Sequence, residues 1–241
     1  MDRTGAAPQA EAITPETANA QSPLNFVAPT EFVDLPSKGL GYNSDHAMSG
    51  KDTIEIRYMT AKDEDILTSK TLLKKGIAVE RFLDNIIIDK NVKASSLLVG
   101  DRNAIIIAAR ISGYGADYTT NVTCPACSET SQYNFDLNNA KVDESTIDET
   151  LGLAQTLEGN FKATMPLSKF EVHFRLLTGK DEIYLSKLST NKAKSKLQET
   201  VLTDQYKRMI VSVAGYTEQE VINEFVNNLP TRDSRFLRTC F

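Results

Sequence analysis

The amino-acid sequence predicts an α+β fold in which two related units, each a strand followed by helices, flank an inserted β-hairpin. The octet RYMTAKDE at residues 57–64 returns as RLLTGKDE at residues 175–182, which indicates a pseudo-duplication. Between the two copies, a Pro-containing turn separates two alternating stretches, as is typical of a hairpin. We therefore divide the chain into an extended N-terminal arm (1–30), a first α+β unit (31–116), a cysteine hairpin with a loop (117–160) and a second α+β unit (161–241).

Composition and charge argue against several classes of protein. Of the 241 residues, 41% are hydrophobic and 24% are charged, which is ordinary for a globular protein. Lys and Arg total 27 against 32 Asp and Glu, so the net charge of -5 leaves no basic excess for broad nucleic-acid binding. The N-terminus lacks the apolar core of a signal peptide, and no stretch reaches the roughly 18 apolar residues of a membrane-spanning helix. We expect a protein that is synthesised in a cytoplasm and has no membrane span.

The N-terminal arm, residues 1–30, is rich in Ala, Pro, Thr and Gln and poor in large apolar side chains. Such a segment cannot bury enough apolar surface to order itself. We expect an extended arm that is held by a neighbouring subunit.

Each copy of the octet is predicted to end a strand and begin a helix. Alternating apolar side chains lead into both copies, in DTIEIRYM and KFEVHFRLL, with the period of a half-buried strand. Thr60 with Asp63, and Thr178 with Asp181, have the spacing of a capping box, with Asp in place of the usual Glu or Gln. An acid in the first turn also suits the positive end of the helix dipole. The repeated polar residues are therefore interpreted as helix starts.

Arg57 and Arg175 lie on the polar faces of the two predicted strands. They are interpreted as salt-bridged rather than catalytic, and they remain candidate interface residues because Arg is enriched in protein contacts. No His, Cys or second acid near the octet supplies what general acid and base catalysis would require. We infer no catalytic residue and predict that the protein is not an enzyme.

Further helices are predicted in both units. The segment LQETVLTDQYKRMIVSVAGY, residues 197–216, is amphipathic and predicts a helix. Thr217 with Glu220 has the spacing of another capping box. Asp101 and Asp233 are predicted to cap the helices that begin DRNAIIIAAR and RDSRFLR.

Cys124 and Cys127, in the sequence CPAC, lie at the tip of the predicted hairpin in the form of a zinc knuckle. Two thiolates fill only half of a tetrahedral site, and no second CxxC is present. The remaining Cys240, His46 and His173 have spacings that no standard zinc motif uses. The turn is interpreted as a zinc-ribbon-like hairpin that keeps its shape without metal. Ligands from a neighbouring subunit are the alternative, so zinc is the one cofactor left open.

Several stretches together resemble a known family. From Glu31 to the C-terminus the chain carries, in this order, EFVDLPSKGLGY, EIRYMTAKDEDIL, LLVGDRNAIIIAARISGYGADY, VTCPAC with FDL, HFRLLTGKDE and NNLPTRDSRFLR. Their order and spacing resemble the baseplate protein family of T-even-like contractile-tailed bacteriophages, the group that includes the baseplate hub subunit. The resemblance implies a non-enzymatic structural subunit of the virion tail, at the baseplate hub or where wedges meet it. It implies hub, wedge or tail proteins as partners in a symmetric assembly, and it supplies no catalytic residues.

Two other functions are left open by the sequence. Genes related to this family include assembly factors, so a cytoplasmic chaperone that is not retained in the virion is one alternative. The other is a zinc-ribbon module for nucleic acid, which would require bound zinc and a salt-sensitive affinity for DNA or RNA.

Overall fold

The computed structural model describes residues 28–140, 147, 149–195, 198 and 200–240, which form an α+β fold. Most of the predicted N-terminal arm, residues 1–27, lies outside the described residues. The helices are α1 (Ala61–Thr68), α2 (Lys70–Lys75), α3 (Ala78–Ile86), α4 (Val99–Tyr114), α5 (Gly179–Lys194), α6 (Val201–Met209), α7 (Gln219–Asn227) and α8 (Thr231–Thr239). The strands are β1 (Thr30–Asp34), β2 (Thr53–Arg57), β3 (Asp117–Thr123), β4 (Thr130–Asp136), β5 (Ala154–Gln155), β6 (Phe161–Thr164), β7 (Glu171–Phe174) and β8 (Ile210–Val213).

The strands form three antiparallel sheets. β1 pairs with β2, and β3 pairs with β4 in the predicted hairpin. The third sheet has four strands in the order β5, β6, β7, β8. None of the helices in the described ranges combines the length and the hydrophobicity that a bilayer-spanning segment needs.

Two hydrophobic cores lie on either side of the hairpin in the sequence. The first is formed by the β1–β2 sheet with α3 and α4, and its fully buried side chains include Ile56, Leu83, Ile86 and Ile105. The second is formed by the four-stranded sheet with α6, α7 and α8, and it includes Met165, Val172, Phe174 and Leu237. Leu176, just after β7, packs against both cores. The two cores are therefore in contact, and burial of apolar area in each of them stabilises the fold.

The second octet touches the first core through its backbone. The Val99 amide donates to the Leu177 carbonyl at 2.9 Å, and the Gly179 amide donates to the Leu97 carbonyl at 2.9 Å. A Cβ on Gly179 would lie 2.9 Å from the Ala94 carbonyl oxygen and 2.9 Å from Cδ of Arg102. Only glycine allows this approach, which explains why the second octet carries Gly where the first carries Ala.

The predicted helix over residues 197–216 is partly wrong. Its first described turns form α6, but the chain becomes strand β8 at Ile210. Val213 pairs with Val172 and Ser212 with His173 on the neighbouring strand β7. The β-branched residues of IVSV favour a strand when a sheet edge is available to them, and the available edge of β7 decides the outcome.

The predicted capping box of Thr217 and Glu220 is also wrong. The N-cap residue of α7 is Glu218, so Thr217 lies before the helix start.

Asp101 does not cap α4, whose N-cap residue is Leu98. Its buried carboxylate accepts hydrogen bonds from the Ser37 amide at 3.0 Å, the Ser37 hydroxyl at 2.7 Å and the Tyr42 hydroxyl at 2.7 Å. Burial and then the charge of Asp101 raise the pKa of Tyr42, so the phenol remains a donor. Asp101 therefore fixes the turn after β1 against the start of α4.

Asp233 has a similar place in the second unit. It is the third residue of α8, whose N-cap residue is Pro230. Its fully buried carboxylate accepts from the Leu167 amide at 2.7 Å and the Ser168 amide at 2.9 Å, in the turn after β6. Sequence reasoning read both acids as local caps, whereas each one orders a turn that is distant in the sequence.

Replacement of Gly179 by Ala is expected to destabilise the protein, because the added methyl group would collide with the backbone of residue 94. Overpacking of this kind costs about 1–3 kcal/mol of unfolding free energy. Urea denaturation, followed by circular dichroism, measures this loss of unfolding free energy.

The matched control is Gly100→Ala in α4, where the nearest atom to an added Cβ is 4.0 Å away. Removing a helical glycine without a clash should raise the unfolding free energy by up to about 1 kcal/mol. Equal effects of the two substitutions would show that the approach at Gly179 is not tight.

Candidate interaction surfaces

The first octet forms a buried ionic network between β2 and α1. Thr60 is the N-cap residue of α1 and forms a capping box with Asp63. The carboxylate of Asp63 accepts from the Thr60 amide at 2.8 Å and from the Thr60 hydroxyl at 2.8 Å. Arg57, the last residue of β2, donates to the two carboxylate oxygens at 2.7 and 3.0 Å. Asn85 of α3 adds a fifth hydrogen bond at 2.6 Å, so the carboxylate is saturated.

The second octet repeats this arrangement. Asp181 accepts from the Thr178 amide and hydroxyl, at 2.9 Å each, in a capping box at the start of α5. Arg175 donates to its two oxygens at 2.6 and 2.9 Å. The fifth donor differs, because Nε of Arg208 in α6 lies 2.5 Å from the carboxylate. Both networks therefore join the end of a strand, the start of the following helix and one more helix.

The environment of the two acids shows what these networks do. Asp63 is 0% exposed and Asp181 is 1% exposed. Burial alone would raise the pKa of Asp63, but the hydrogen bonds from Arg57, Thr60 and Asn85 lower it to about 2. Burial opposes ionisation of Asp181 in the same way, and the bonds from Arg175, Thr178 and Arg208 outweigh it and hold the pKa well below its usual range. Both carboxylates are ionised structural groups at neutral pH.

Arg57 and Arg175 each donate through both terminal nitrogens to their acid. One terminal nitrogen of each also donates to a backbone carbonyl, that of Tyr58 for Arg57 and that of Leu176 for Arg175. Their side chains are 20% and 29% exposed. A role in an interface stays a prediction for both, because each guanidinium keeps some exposed surface.

The hairpin has two very different faces, and both are exposed. Every residue of β4 and every residue of β3 except Thr120 is exposed. On one face the register places Tyr118 beside Phe135, Thr120 beside Tyr133 and Val122 beside Ser131. We call this the aromatic face of the hairpin. Tyr133 is 53% exposed and Phe135 is 47% exposed, although both are large apolar side chains.

The opposite face of the hairpin is entirely polar. It carries Thr and Asn side chains that form hydrogen bonds across the strands, such as Thr119 to Asn134 at 3.1 Å.

Arg110 of α4 anchors the base of the hairpin by donating to the carbonyls of Gly115 and Asp117. Its guanidinium lies 5.9 Å from the ring centroid of Tyr118.

Comparison with known families identifies the chain. The family profile described as T4 bacteriophage base plate protein matches residues 40–237, which is most of the sequence. The chain belongs to this family. Searches of curated proteins and of solved structures gave no match. The resemblance read from the motifs is thus confirmed, and the chain is a structural baseplate protein of a bacteriophage tail.

In this baseplate protein Cys124 and Cys127 lie in the exposed turn between β3 and β4. Hydrogen bonds from the Cys127 and Ala126 amides, and from the Cys127 side chain, lower the pKa of the Cys124 thiol. Within the described residues, no group of three or more His, Cys, Asp and Glu side chains is placed to hold a metal ion. The two cysteines share one turn, and both the metal-free zinc-ribbon-like hairpin and a zinc site shared with a neighbouring subunit stay predictions.

Sequence reasoning missed two residues that complete the ionic networks. Asn85 and Arg208 are remote from the octets in the sequence, and no local spacing marks them as partners of Asp63 and Asp181. The aromatic face was recognisable, because Tyr, Thr and Val alternate in YTTNV and Tyr and Phe alternate in QYNF. The pattern predicted the hairpin, but it could not show that no other element of the described chain covers this face.

Replacing Asp63 by Asn should lower the unfolding free energy of the baseplate protein by roughly 3 kcal/mol, because Arg57 would keep a partly buried charge without its counter-ion. Chemical denaturation at pH 7 measures the change. The matched control is Asp65→Asn, an exposed acid in the same helix, which should shift stability by less than about 0.5 kcal/mol.

The pH dependence of this loss tests its ionic origin. The depressed pKa means that Asp63 contributes its full stabilisation above the ordinary value of 3.8 and loses it as the pH falls through about 2. The stability difference between the wild type and Asp63→Asn should therefore narrow over that pH range. A difference that is the same at pH 7 and pH 2 would contradict the ion-pair explanation.

Proposed function

We propose that this baseplate protein is a structural subunit at the hub, or at the junction of hub and wedges, and that it works by protein–protein contact. The observation that carries the proposal is the aromatic face of the hairpin. An isolated two-stranded hairpin is marginally stable in water, and exposed aromatic groups are enriched in protein interfaces. A neighbouring tail protein that covers this face would bury Tyr118, Tyr133 and Phe135 and would stabilise the hairpin.

The N-terminal arm supports the same role. Its composition gives it too few apolar groups to fold alone, and it leads directly into β1 at Thr30. An arm of this kind binds by ordering itself on a partner. We propose that it lies on a neighbouring subunit of the assembly, and that the protein is synthesised in the host cytoplasm before it enters the tail.

We also propose that the two α+β units are related by an internal pseudo-duplication. The repeated Arg–Asp networks support it, since each joins a strand end to a capped helix start. Asp101 and Asp233 add support, because each binds the turn after the first long strand of its unit. A baseplate subunit with two similar units would offer two similar surfaces to its neighbours.

Quantitative mass spectrometry of purified tails tests the structural role. We expect the protein to be present in intact tails at a fixed ratio to the other baseplate proteins, because a structural subunit occupies a defined number of sites. Chemical cross-links to hub proteins are expected if it lies at the hub. Absence from intact tails, with presence in assembly intermediates, would contradict the proposal and indicate a chaperone.

Replacing Tyr133 and Phe135 together by Thr should reduce incorporation of the protein into tails at least tenfold, because the partner would lose its main apolar contacts. Threonine keeps a high strand propensity, so the hairpin itself is conserved. Complementation of a phage that lacks the gene, followed by immunoblots of purified tails, measures incorporation.

The control for this experiment is the double variant Gln132→Thr and Asn134→Thr on the polar face of the same strand. It should enter tails at the wild-type level. Thermal unfolding of both purified variants establishes that neither has lost its fold. Equal incorporation of the two variants would show that the aromatic face is not the contact surface.

A further inference from the structure

A second surface of this protein is a groove between the two units, which we call the lysine groove. Its volume is about 720 Å³, and it lies between the end of α2, one side of α4 and one side of α5. The residues that line it include Leu73 and Lys74 of α2, Val79 of α3, Ile106 of α4, and Ile183 and Lys187 of α5. The groove is therefore built from helices of both units.

The charge of the groove is opposite to that of the whole chain. Its lining includes Lys74, Lys75, Lys187 and Lys194, all exposed, whereas the chain has a net charge of -5. Arg102 pairs with Glu182, which is the one acid of the lining. Within the described part of the chain, none of the four lysines forms a salt bridge. Four positive charges that have no acidic partner among the described residues therefore line one groove.

The lining of the groove also includes four apolar side chains. Leu73 and Val79 are exposed, and Ile106 and Ile183 are half-buried beside them. Water covers these groups in the isolated chain, so a ligand with apolar side chains gains free energy by displacing it. A phosphate backbone offers no such side chains and would leave these apolar groups in water. The combination of apolar side chains and lysines in one lining thus favours a peptide over a nucleic acid.

We infer that the lysine groove binds an acidic amphipathic helix of another baseplate protein. Apolar residues of the helix, at intervals of three and four, would lie on Leu73, Val79 and Ile183. Asp and Glu residues on its flanks would face Lys74, Lys75, Lys187 and Lys194. The inference deepens the proposed function, since it names the chemistry of one partner of the same structural subunit.

Photo-cross-linking in assembled tails tests the inference. A photoreactive phenylalanine derivative replaces exposed Ser186 in the groove, and a second variant carries it at exposed Glu220 on α7, outside the groove. Mass spectrometry then identifies the peptide attached to residue 186. We expect an acidic peptide with apolar residues at helical spacing, from another baseplate protein, and no such peptide at residue 220.

Charge reversal provides the matched control. The double variant Lys74→Glu and Lys187→Glu should reduce the yield of the cross-link at Ser186 at least fivefold. The double variant Lys62→Glu and Lys180→Glu makes the same change in net charge at exposed lysines outside the groove, and it should leave the yield unchanged. Thermal unfolding of both variants confirms that they are folded.

A binding experiment with a defined probe separates the classes of ligand. The probe is an 18-residue peptide of Leu and Glu with Leu at intervals of three and four, and its controls are a scrambled peptide and a 20-base-pair DNA duplex. Fluorescence anisotropy with the full chain should show binding of the first peptide only. Raising NaCl from 50 to 300 mM should weaken this binding about tenfold, since the four lysines are exposed to the solvent ions.

Several results would overturn the inference. A cross-link from residue 186 to nucleic acid, to a second copy of this chain or to a peptide without acidic residues would contradict it. Tighter binding of the DNA duplex than of the Leu and Glu peptide would also contradict it. So would an equal loss of the cross-link in both charge variants. Absence of any cross-link at residue 186 in tails that contain the protein would overturn it as well. Absence of the protein from tails would instead contradict the proposed structural role, so the two failures are distinguishable.

Discussion

A buried carboxylate that holds the end of a strand to the start of a helix is the interaction on which each unit of this protein depends. At Asp63 and again at Asp181, five donors surround an acid that has almost no contact with water. Such a pair adds little net stability compared with an apolar core of the same volume, because both charges lose hydration. Removing one partner, however, strongly lowers the unfolding free energy, because it leaves a buried charge unpaired. The network therefore permits one geometry of strand and helix. The directions of α1 and α5 follow from that geometry, and α5 forms one wall of the lysine groove.

The sequence predicted the parts of the fold that depend on local patterns. The strands before both octets, the helix starts at Thr60 and Thr178 and the hairpin around CPAC all follow from spacings within a few residues. The strand β8 was missed because IVSV continues the apolar pattern of α6, and only the open edge of β7 decides between helix and strand. Local spacing predicts Asp101 and Asp233 as caps for the same reason, since their true donors lie 59 to 66 residues away.

The candidate surfaces were predictable to different degrees. Alternation of aromatic and polar residues indicated a two-faced hairpin, but its lack of a cover could be seen only once the two cores were known to form without it. The lysine groove could not be predicted at all. Lys74 and Lys187 lie in different units, and their approach depends on the packing of α4 against α5. Each of these lysines, considered alone in the sequence, is an ordinary solvated residue at a helix surface.

The hairpin also has a consequence for how much of this protein a cell can tolerate. Within the described residues each of its strands pairs only with the other, so the outer backbone donors and acceptors of β3 and β4 have no strand partner there. An uncovered edge beside exposed aromatic rings is a template on which further copies can stack. Surplus molecules without a binding partner would therefore aggregate at high expression. The tail protein that we propose on the aromatic face would, by covering it, also protect these edges from stacking.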